Sequence, residues 1–311
     1  MSRPIVYVPE PIAQVGLDLL AEHCDCRAPW STGAEASEIP LGTEAILLRT
    51  YVLDEARLDS APDLRVVAKH GVGLDNIDIK AATERKVAVL WTPEANADAV
   101  AQHALALILA LANRLLAGDQ AVRQGQFLQR MEFGGMELGG RVLGVVGLGR
   151  IGARVARLAA EGFGMEVLAF DPHVDSYQGP ATLVQGLDEL LDRADFVSMH
   201  VPLTEETRCM INGARLAAMK ESTFLVNTSR GAVVDEVAVA QALESGQLAG
   251  AAIDVFAQEP PDLEHPLLAA PNALLTPHVA GLSDRALLRV AEEAAQGIID
   301  VMHGRYPKSP V

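Results

Sequence analysis

Cysteine is scarce in this chain. Three in 311 residues are too few for a disulfide framework. Cys24-Asp25-Cys26 is too tight for an easy bridge and has no second ligand pair for zinc, so no metal site is expected and a reducing cytoplasm is the matching compartment. Basic charge is short as well: 25 Lys and Arg stand against 41 Asp and Glu, giving a net charge of -16 and a pI near 4.9. No nucleic-acid partner is expected, because phosphates need a clustered cationic surface. Long apolar runs are missing too. The most membrane-like stretch, Ala104-Leu105-Ala106-Leu107-Ile108-Leu109-Ala110-Leu111-Ala112, stops at Asn113-Arg114, short of the ~20 residues a span needs, so no membrane partner is expected. Pro4, Glu10 and Pro11 interrupt the N-terminus where a signal peptide would lie. No internal repeat or low-complexity segment stands out.

What is present is globular: 50% hydrophobic and 21% charged residues, with length for two domains. Ile5-Val6-Tyr7-Val8 reads as a strand, and Ile12, Val15, Gly16, Leu19 and Leu20 share one face of a helix. Further strands are read at 45–48, 65–68 and 87–90, with a helical stretch over 79–85, which predicts a parallel sheet with helices on both faces. Between the third strand and the next helix, Lys69-His70-Gly71-Val72-Gly73-Leu74-Asp75-Asn76-Ile77-Asp78 has two glycines that free backbone N–H groups for a small anion, with Lys69 and His70 offering positive charge beside it. The alternative is a plain turn capped by Asp75 or Asn76. Over 96–116 the chain reads as one long apolar helix, with His103 as a packed core or interface residue.

Val142-Leu143-Gly144-Val145-Val146 then leads into Gly147-Leu148-Gly149-Arg150-Ile151-Gly152 and a helix. This is the context in which a backbone presses against a pyrophosphate: the first glycine makes a tight turn, the second lets phosphates approach, and the third lets helix and strand pack closely. A second strand over 165–170 ends at Asp171, at about the 20-residue spacing where an acid accepts from ribose hydroxyls. Four more strands are read at 194–200, 223–227, 251–255 and 273–276, giving six in all, as in two mononucleotide-binding halves. The last helix, capped by Ser283 and stopped by Gly304, buries a stripe of Leu287, Leu288, Ala291, Ala294, Ala295, Ile298 and Met302, and is expected to pack on the N-terminal domain.

In a parallel sheet, ligands bind beyond the carboxyl ends of the strands. Arg230, Glu259 and His278 each follow a strand there. Hydride transfer to a ketone needs a cation to hold the substrate, a proton donor, and a group that keeps the donor protonated; these three residues match those needs. A carboxylate beside an imidazole favours its charged form. His200, also at a strand end, is the competing acid, without a carboxylate identifiable from the sequence.

Together, Gly147 to Gly152 with Asp171, Asn227-Thr228-Ser229-Arg230-Gly231, Asp254-Val255-Phe256 with Glu259-Pro260, and Thr276-Pro277-His278-Val279-Ala280-Gly281 resemble the D-isomer-specific 2-hydroxyacid dehydrogenases. The 70–78 segment resembles that family's substrate loop, so the likeness covers nearly the whole chain. It implies an α/β fold of two doubly wound parallel-sheet domains: a Rossmann NAD domain, 99–281, inserted into a flavodoxin-like substrate domain formed by 1–98 and 282–311. It implies Arg230, Glu259 and His278 as the catalytic trio. Substrate contacts fall to Lys69, Val72, Gly73 and Arg230. Cofactor contacts fall to Val72, Gly147, Gly149, Arg150, Ile151, Gly152, Asp171, Val201, Pro202, Thr228, Asp254, His278 and Gly281. The cofactor is NAD, since Asp171 would repel a 2′-phosphate; the partner is a small 2-keto or 2-hydroxy acid, and the assembly a homodimer.

Within the family the chain looks most similar to the phosphoglycerate and hydroxypyruvate types, without the C-terminal regulatory domain of longer phosphoglycerate dehydrogenases. Gln102 stands where many relatives carry glutamate. Arg49, Thr50 and Tyr51 follow a strand of the first domain and are candidates to meet a second polar group on the substrate. Two other readings share the resemblance. One is an NAD(H)-sensing corepressor of the same fold, whose trio looks alike. The other is formate dehydrogenase, associated with glutamine beside the histidine and so disfavoured by Glu259.

Overall fold

Strands that are apolar at consecutive positions are stable only when both faces of their sheet are covered, and this chain builds two such sheets. The structure, a computed structural model, describes residues 3–33 and 38–311. It divides into two units, Met1–Ala97 with Gly281–Val311, and Asp98–Ala280.

The first unit runs β1 (Ile5–Tyr7), α1 (Gln14–His23), β2 (Asp25–Arg27), β3 (Thr43–Leu48), α2 (Glu55–Asp59), β4 (Val66–Lys69), α3 (Ile79–Glu84) and β5 (Ala88–Leu90). All strands are parallel, in the order β2-β1-β3-β4-β5, the flavodoxin-like order. Successive residues serve opposite faces: Ile46 and Leu48 join one core, Ala45 and Leu47 the other. The sequence reading missed β2 because Asp25-Cys26-Arg27 carries no apolar signal; it is an edge strand, half-exposed.

The second unit begins with α4 (Ala97–Ala112) and α5 (Leu115–Arg123), which replace the single helix expected over 96–116. Arg114 adopts a left-handed φ of +50°, which ends α4, and the two helices diverge by 58°. Among the described residues no single helix is long and apolar enough to cross a membrane. Then follow β6 (Val142–Val146), α6 (Arg150–Phe163), β7 (Glu166–Phe170), β8 (Ala181–Leu183), α7 (Leu187–Arg193), β9 (Phe196–Met199), α8 (Gly213–Ala218), β10 (Phe224–Asn227), α9 (Glu236–Ser245), β11 (Gly250–Ile253) and β12 (Ala273–Leu275). The sheet has seven parallel strands, not six, in the order β12-β11-β10-β9-β6-β7-β8. β8, the strand not foreseen, is a three-residue edge. The order reverses between β9 and β6, the topological switch point at which such sheets open a crevice.

The chain closes with α10 (Asp284–Met302), capped by the Ser283 hydroxyl on the Ala286 N–H at 3.2 Å. It packs on α1 and β4 of the first unit. The approach is close: a methyl group on Gly16 would come within 2.9 Å of Ala291. Leu288 departs from the expected stripe and is half-exposed.

Candidate active site

The fingerprint turn gives each glycine a separate reason. Gly147 has φ +90°, and a Cβ there would lie 2.6 Å from the His200 carbonyl oxygen. A Cβ on Gly152 would lie 2.0 Å from the Gly147 oxygen, so α6 can start this close to β6 only with glycine. Gly149 is different: no atom stands within 4 Å of its Cβ position, and it is exposed. The turn is therefore tight where protein packs and open where a ligand would come, at the N-terminus of a 14-residue helix that begins with Arg150 and Ile151.

Asp171, just past β7, accepts the Leu148 N–H at 2.8 Å and the His173 N–H at 2.9 Å, one on each carboxylate oxygen. Its side chain is thereby fixed beside the turn, with acceptor capacity left over. Thr228, following β10, has a buried hydroxyl without a hydrogen-bond partner among the described residues, an orphan that a bound dinucleotide would satisfy. Val201 and Pro202 follow β9. The open glycine, the helix start, the anchored carboxylate and the orphan hydroxyl together fit a dinucleotide.

Arg230, Glu259 and His278 lie past the carboxyl ends of β10, β11 and β12, three adjacent strands. His278 Nδ1 is 2.7 Å from Glu259 Oε2, and the Phe256 N–H holds the other Glu259 oxygen at 3.0 Å. Both side chains of the pair are partly exposed, 51% and 39%, so a small molecule can reach them from solvent. His278 takes a left-handed φ of +52°, a conformation costing about 1–3 kcal/mol in a non-glycine residue. Asp254 offsets that cost. Fully buried, it receives the His278 N–H on its backbone carbonyl at 2.7 Å and the Val279 and Ala280 N–H groups on its carboxylate, both at 2.9 Å. Burial alone would raise its pKa, but the hydrogen bonds from His103, Thr276 and these amides hold it below the ordinary range.

Beside Arg230, Asn227 braces the turn, its amide donating to the Arg230 carbonyl at 2.8 Å and its oxygen accepting the Ser229 N–H at 3.0 Å.

The structure separates the two competing histidines. His200 is 2.8 Å from the Ser198 hydroxyl, and burial pushes its pKa down to about 4. It is therefore neutral at physiological pH and lacks the imidazolium proton of a general acid. His103 is more than a packing residue: its Nε2 lies 3.3 Å from the Thr276 hydroxyl and 3.6 Å from Asp254. Gln102 is exposed on α4.

In the first unit, the loop after β4 presents the Val72 and Gly73 N–H groups, neither of which meets a protein acceptor among the described residues. Gly71 begins it at φ +138°. Lys69 is buried, its ammonium donating to the Arg49 carbonyl and Asn76 Oδ1, so it braces the loop from beneath. His70 brings no charge, contrary to the sequence reading: burial, then the nearby Arg49, push its pKa down to about 4. The Arg49, Thr50 and Tyr51 amides after β3 are already occupied, all donating to the Glu10 carboxylate. Sequence reasoning gave Glu10 no role, since its partners lie some 40 residues away. Gly281 lies against Asn96, whose side-chain nitrogen is 2.9 Å from its Cβ position.

Comparison with known proteins gives this arrangement its relatives. The family described as "D-isomer specific 2-hydroxyacid dehydrogenase, NAD binding domain" matches residues 105–280. Glyoxylate reductase of Thermofilum pendens is 40% identical over 325 aligned positions, covering 100% of this chain and 95% of that protein. D-3-phosphoglycerate dehydrogenase of Synechocystis sp. is 39% identical, covering 98% of this chain but 55% of that longer protein. The crystal structure of an NADPH-dependent glyoxylate/hydroxypyruvate reductase from Sinorhizobium meliloti, with NADP and malonate, is similar at a TM-score of 0.88 and 30% identity, covering 100% and 97% of the two chains. With a matched NAD-binding domain and relatives that are reductases and dehydrogenases, this chain belongs to the D-isomer specific 2-hydroxyacid dehydrogenase family and is a nicotinamide-dependent oxidoreductase.

Proposed function

We propose that the protein interconverts a small 2-keto acid and its D-2-hydroxy acid with NAD, and that the substrate is of the glycerate/hydroxypyruvate or phosphoglycerate type. The observation that carries this is the 2.7 Å His278–Glu259 pair at the ends of strands in the same sheet as the fingerprint turn. NAD, when bound, supplies or accepts the hydride. In the reductive direction His278 gives its proton to the carbonyl oxygen as that oxygen gains charge, and Glu259 holds the imidazole ring in place through Nδ1. Arg230 grips the substrate carboxylate and turns the carbonyl toward the donor. The free Val72 and Gly73 amides supply further carboxylate donors, with Lys69 holding their loop. Gly147, Gly149, Arg150, Ile151 and Gly152 hold the pyrophosphate, Asp171 the adenosine ribose, and Val72, Val201, Pro202, Thr228, Asp254 and Gly281 make the remaining cofactor contacts. Asp98–Ala280 serves as the NAD domain and Met1–Ala97 with Gly281–Val311 as the substrate domain.

A panel of glyoxylate, hydroxypyruvate, pyruvate and phosphohydroxypyruvate, followed by loss of NADH absorbance, tests the reading. At least one is expected to be turned over. Tight NADH binding with no turnover of any would overturn it in favour of an NAD(H)-sensing protein.

We also propose a homodimer in the cytoplasm, where the free thiols Cys24, Cys26 and Cys209 remain reduced. The support for a dimer is the apolar surface over 115–131: Leu115, Leu116, Val122, Phe127, Leu128 and Met131 are each half or more exposed. Replacing Leu128 and Met131 together by glutamate is expected to give monomers in light scattering. A double variant that remains dimeric would place the interface elsewhere.

A further inference from the structure

The peptide joining Phe256 to Ala257 is held from two sides. Gly231, next to Arg230, lies flat on it: a Cβ there would come within 1.9 Å of the Phe256 carbonyl carbon and 2.1 Å of the Ala257 nitrogen. At its edge the Ala257 N–H donates to Glu236 Oε1 at 2.7 Å, and Glu236 Oε2 meets His265 Nε2 at 3.1 Å. One residue back, the Phe256 N–H donates to Glu259 at 3.0 Å.

Glu236 is only 8% exposed. A carboxylate so buried is costly unless its oxygens are bonded, and here both are. His265 is fixed in turn, with the Leu267 N–H at 3.4 Å from its Nδ1 and the Phe256 ring edge-on at 6.1 Å. An imidazole that accepts at Nδ1 and donates from Nε2 meets both contacts while neutral. As the first residue of α9, Glu236 also suits the positive end of that helix, which by itself would ask nothing of His265 or Ala257.

We infer that Glu236 and His265 are positioning residues for the reaction: through the 256–257 peptide they set the Glu259 carboxylate against His278, in register with the Arg230 turn that Gly231 lays on the same peptide. This rests on the proposed roles of Glu259 and His278.

With the keto acid identified by the panel, Glu236→Ala is expected to lower kcat about tenfold or more, while KM and the NADH Kd stay within about threefold. Glu236→Gln keeps an acceptor for the Ala257 N–H and is expected to restore most of the turnover. Because the effect passes through Glu259, it is expected to disappear when Glu259 is already glutamine, the double variant being no slower than Glu259→Gln alone. Additive losses, or a Glu236→Ala enzyme with full turnover where Glu259→Gln is impaired, overturn the inference and leave the trio standing. A Glu259→Gln enzyme as active as the unmutated protein overturns the trio instead. A crystal structure decides the point without any assay: the Glu259–His278 contact is expected to open beyond hydrogen-bond range in Glu236→Ala, or in His265→Ala should the first variant not fold. An unchanged contact would refute the positioning role.

Discussion

His278→Ala is expected to lower kcat by roughly 10²-fold or more, the scale of losing a general acid, with NADH binding largely kept. The split follows from position. His278 stands past β12 with half of its side chain exposed and paired to Glu259, whereas the fingerprint turn belongs to β6 and α6. Removing the imidazole leaves the turn and Asp171 untouched. The backbone at 278 is held by the Asp254 carbonyl on its N–H, so the local chain path should persist in the variant. Stopped-flow turnover with NADH fluorescence titration measures both halves. A variant that keeps most of its turnover would remove His278 as the acid. His200 is then an unsuitable substitute, because burial leaves it neutral at the working pH.

Asp171→Ala is expected to weaken NADH binding by about 10–100-fold and to erase most of the preference for NADH over NADPH. Hydrogen bonds to a charged group contribute about 1.5–3 kcal/mol each, and the ribose would lose its carboxylate acceptor. Two consequences add to this. The Leu148 and His173 N–H groups, now bonded to Asp171, are released as donors, and the negative charge that would repel a 2′-phosphate is gone. Relative kcat/KM for the two cofactors is the measurement. Equal efficiency with NADH and NADPH in the unmutated protein would contradict the role of Asp171. The comparison matters because a similar structure is that of an NADPH-dependent enzyme with NADP bound.

The parts legible in the sequence are those whose physics is local. A glycine turn between an apolar strand and a helix is recognisable because the chain that makes the site is continuous, and 147–152 behaves that way. Strands buried on both faces announce themselves by consecutive apolar residues, as 45–48 and 142–146 do. β2 and β8 do not, since Asp25-Cys26-Arg27 and Ala181-Thr182-Leu183 hold no apolar run, and so they escaped notice, whereas the other two edge strands, β5 and β12, are apolar throughout and were legible. The break between α4 and α5 was not read, because the polar pair Asn113-Arg114 interrupts the apolar run there without revealing that Arg114 turns left-handed.

For the site, the same division holds. Spacing in the chain determined that Arg230, Glu259, His278 and His200 each follow a strand, and the order of their motifs indicated the family. It did not determine which strands are neighbours, so the choice of His278 over His200 rested on the motifs and the resemblance, not on geometry. Strand order brings different partners to them: β10, β11 and β12 lie side by side, which sets Glu259 against His278, while His200 meets the Ser198 hydroxyl. Glu236 and His265, 29 residues apart, meet only because α9 and the loop after β11 pack together. Periodicity and turn chemistry act over a few residues and are written along the chain. Proton affinity and hydrogen-bond partnership depend on what folding brings within 3 Å and on how much water it removes, and these only the tertiary structure decides.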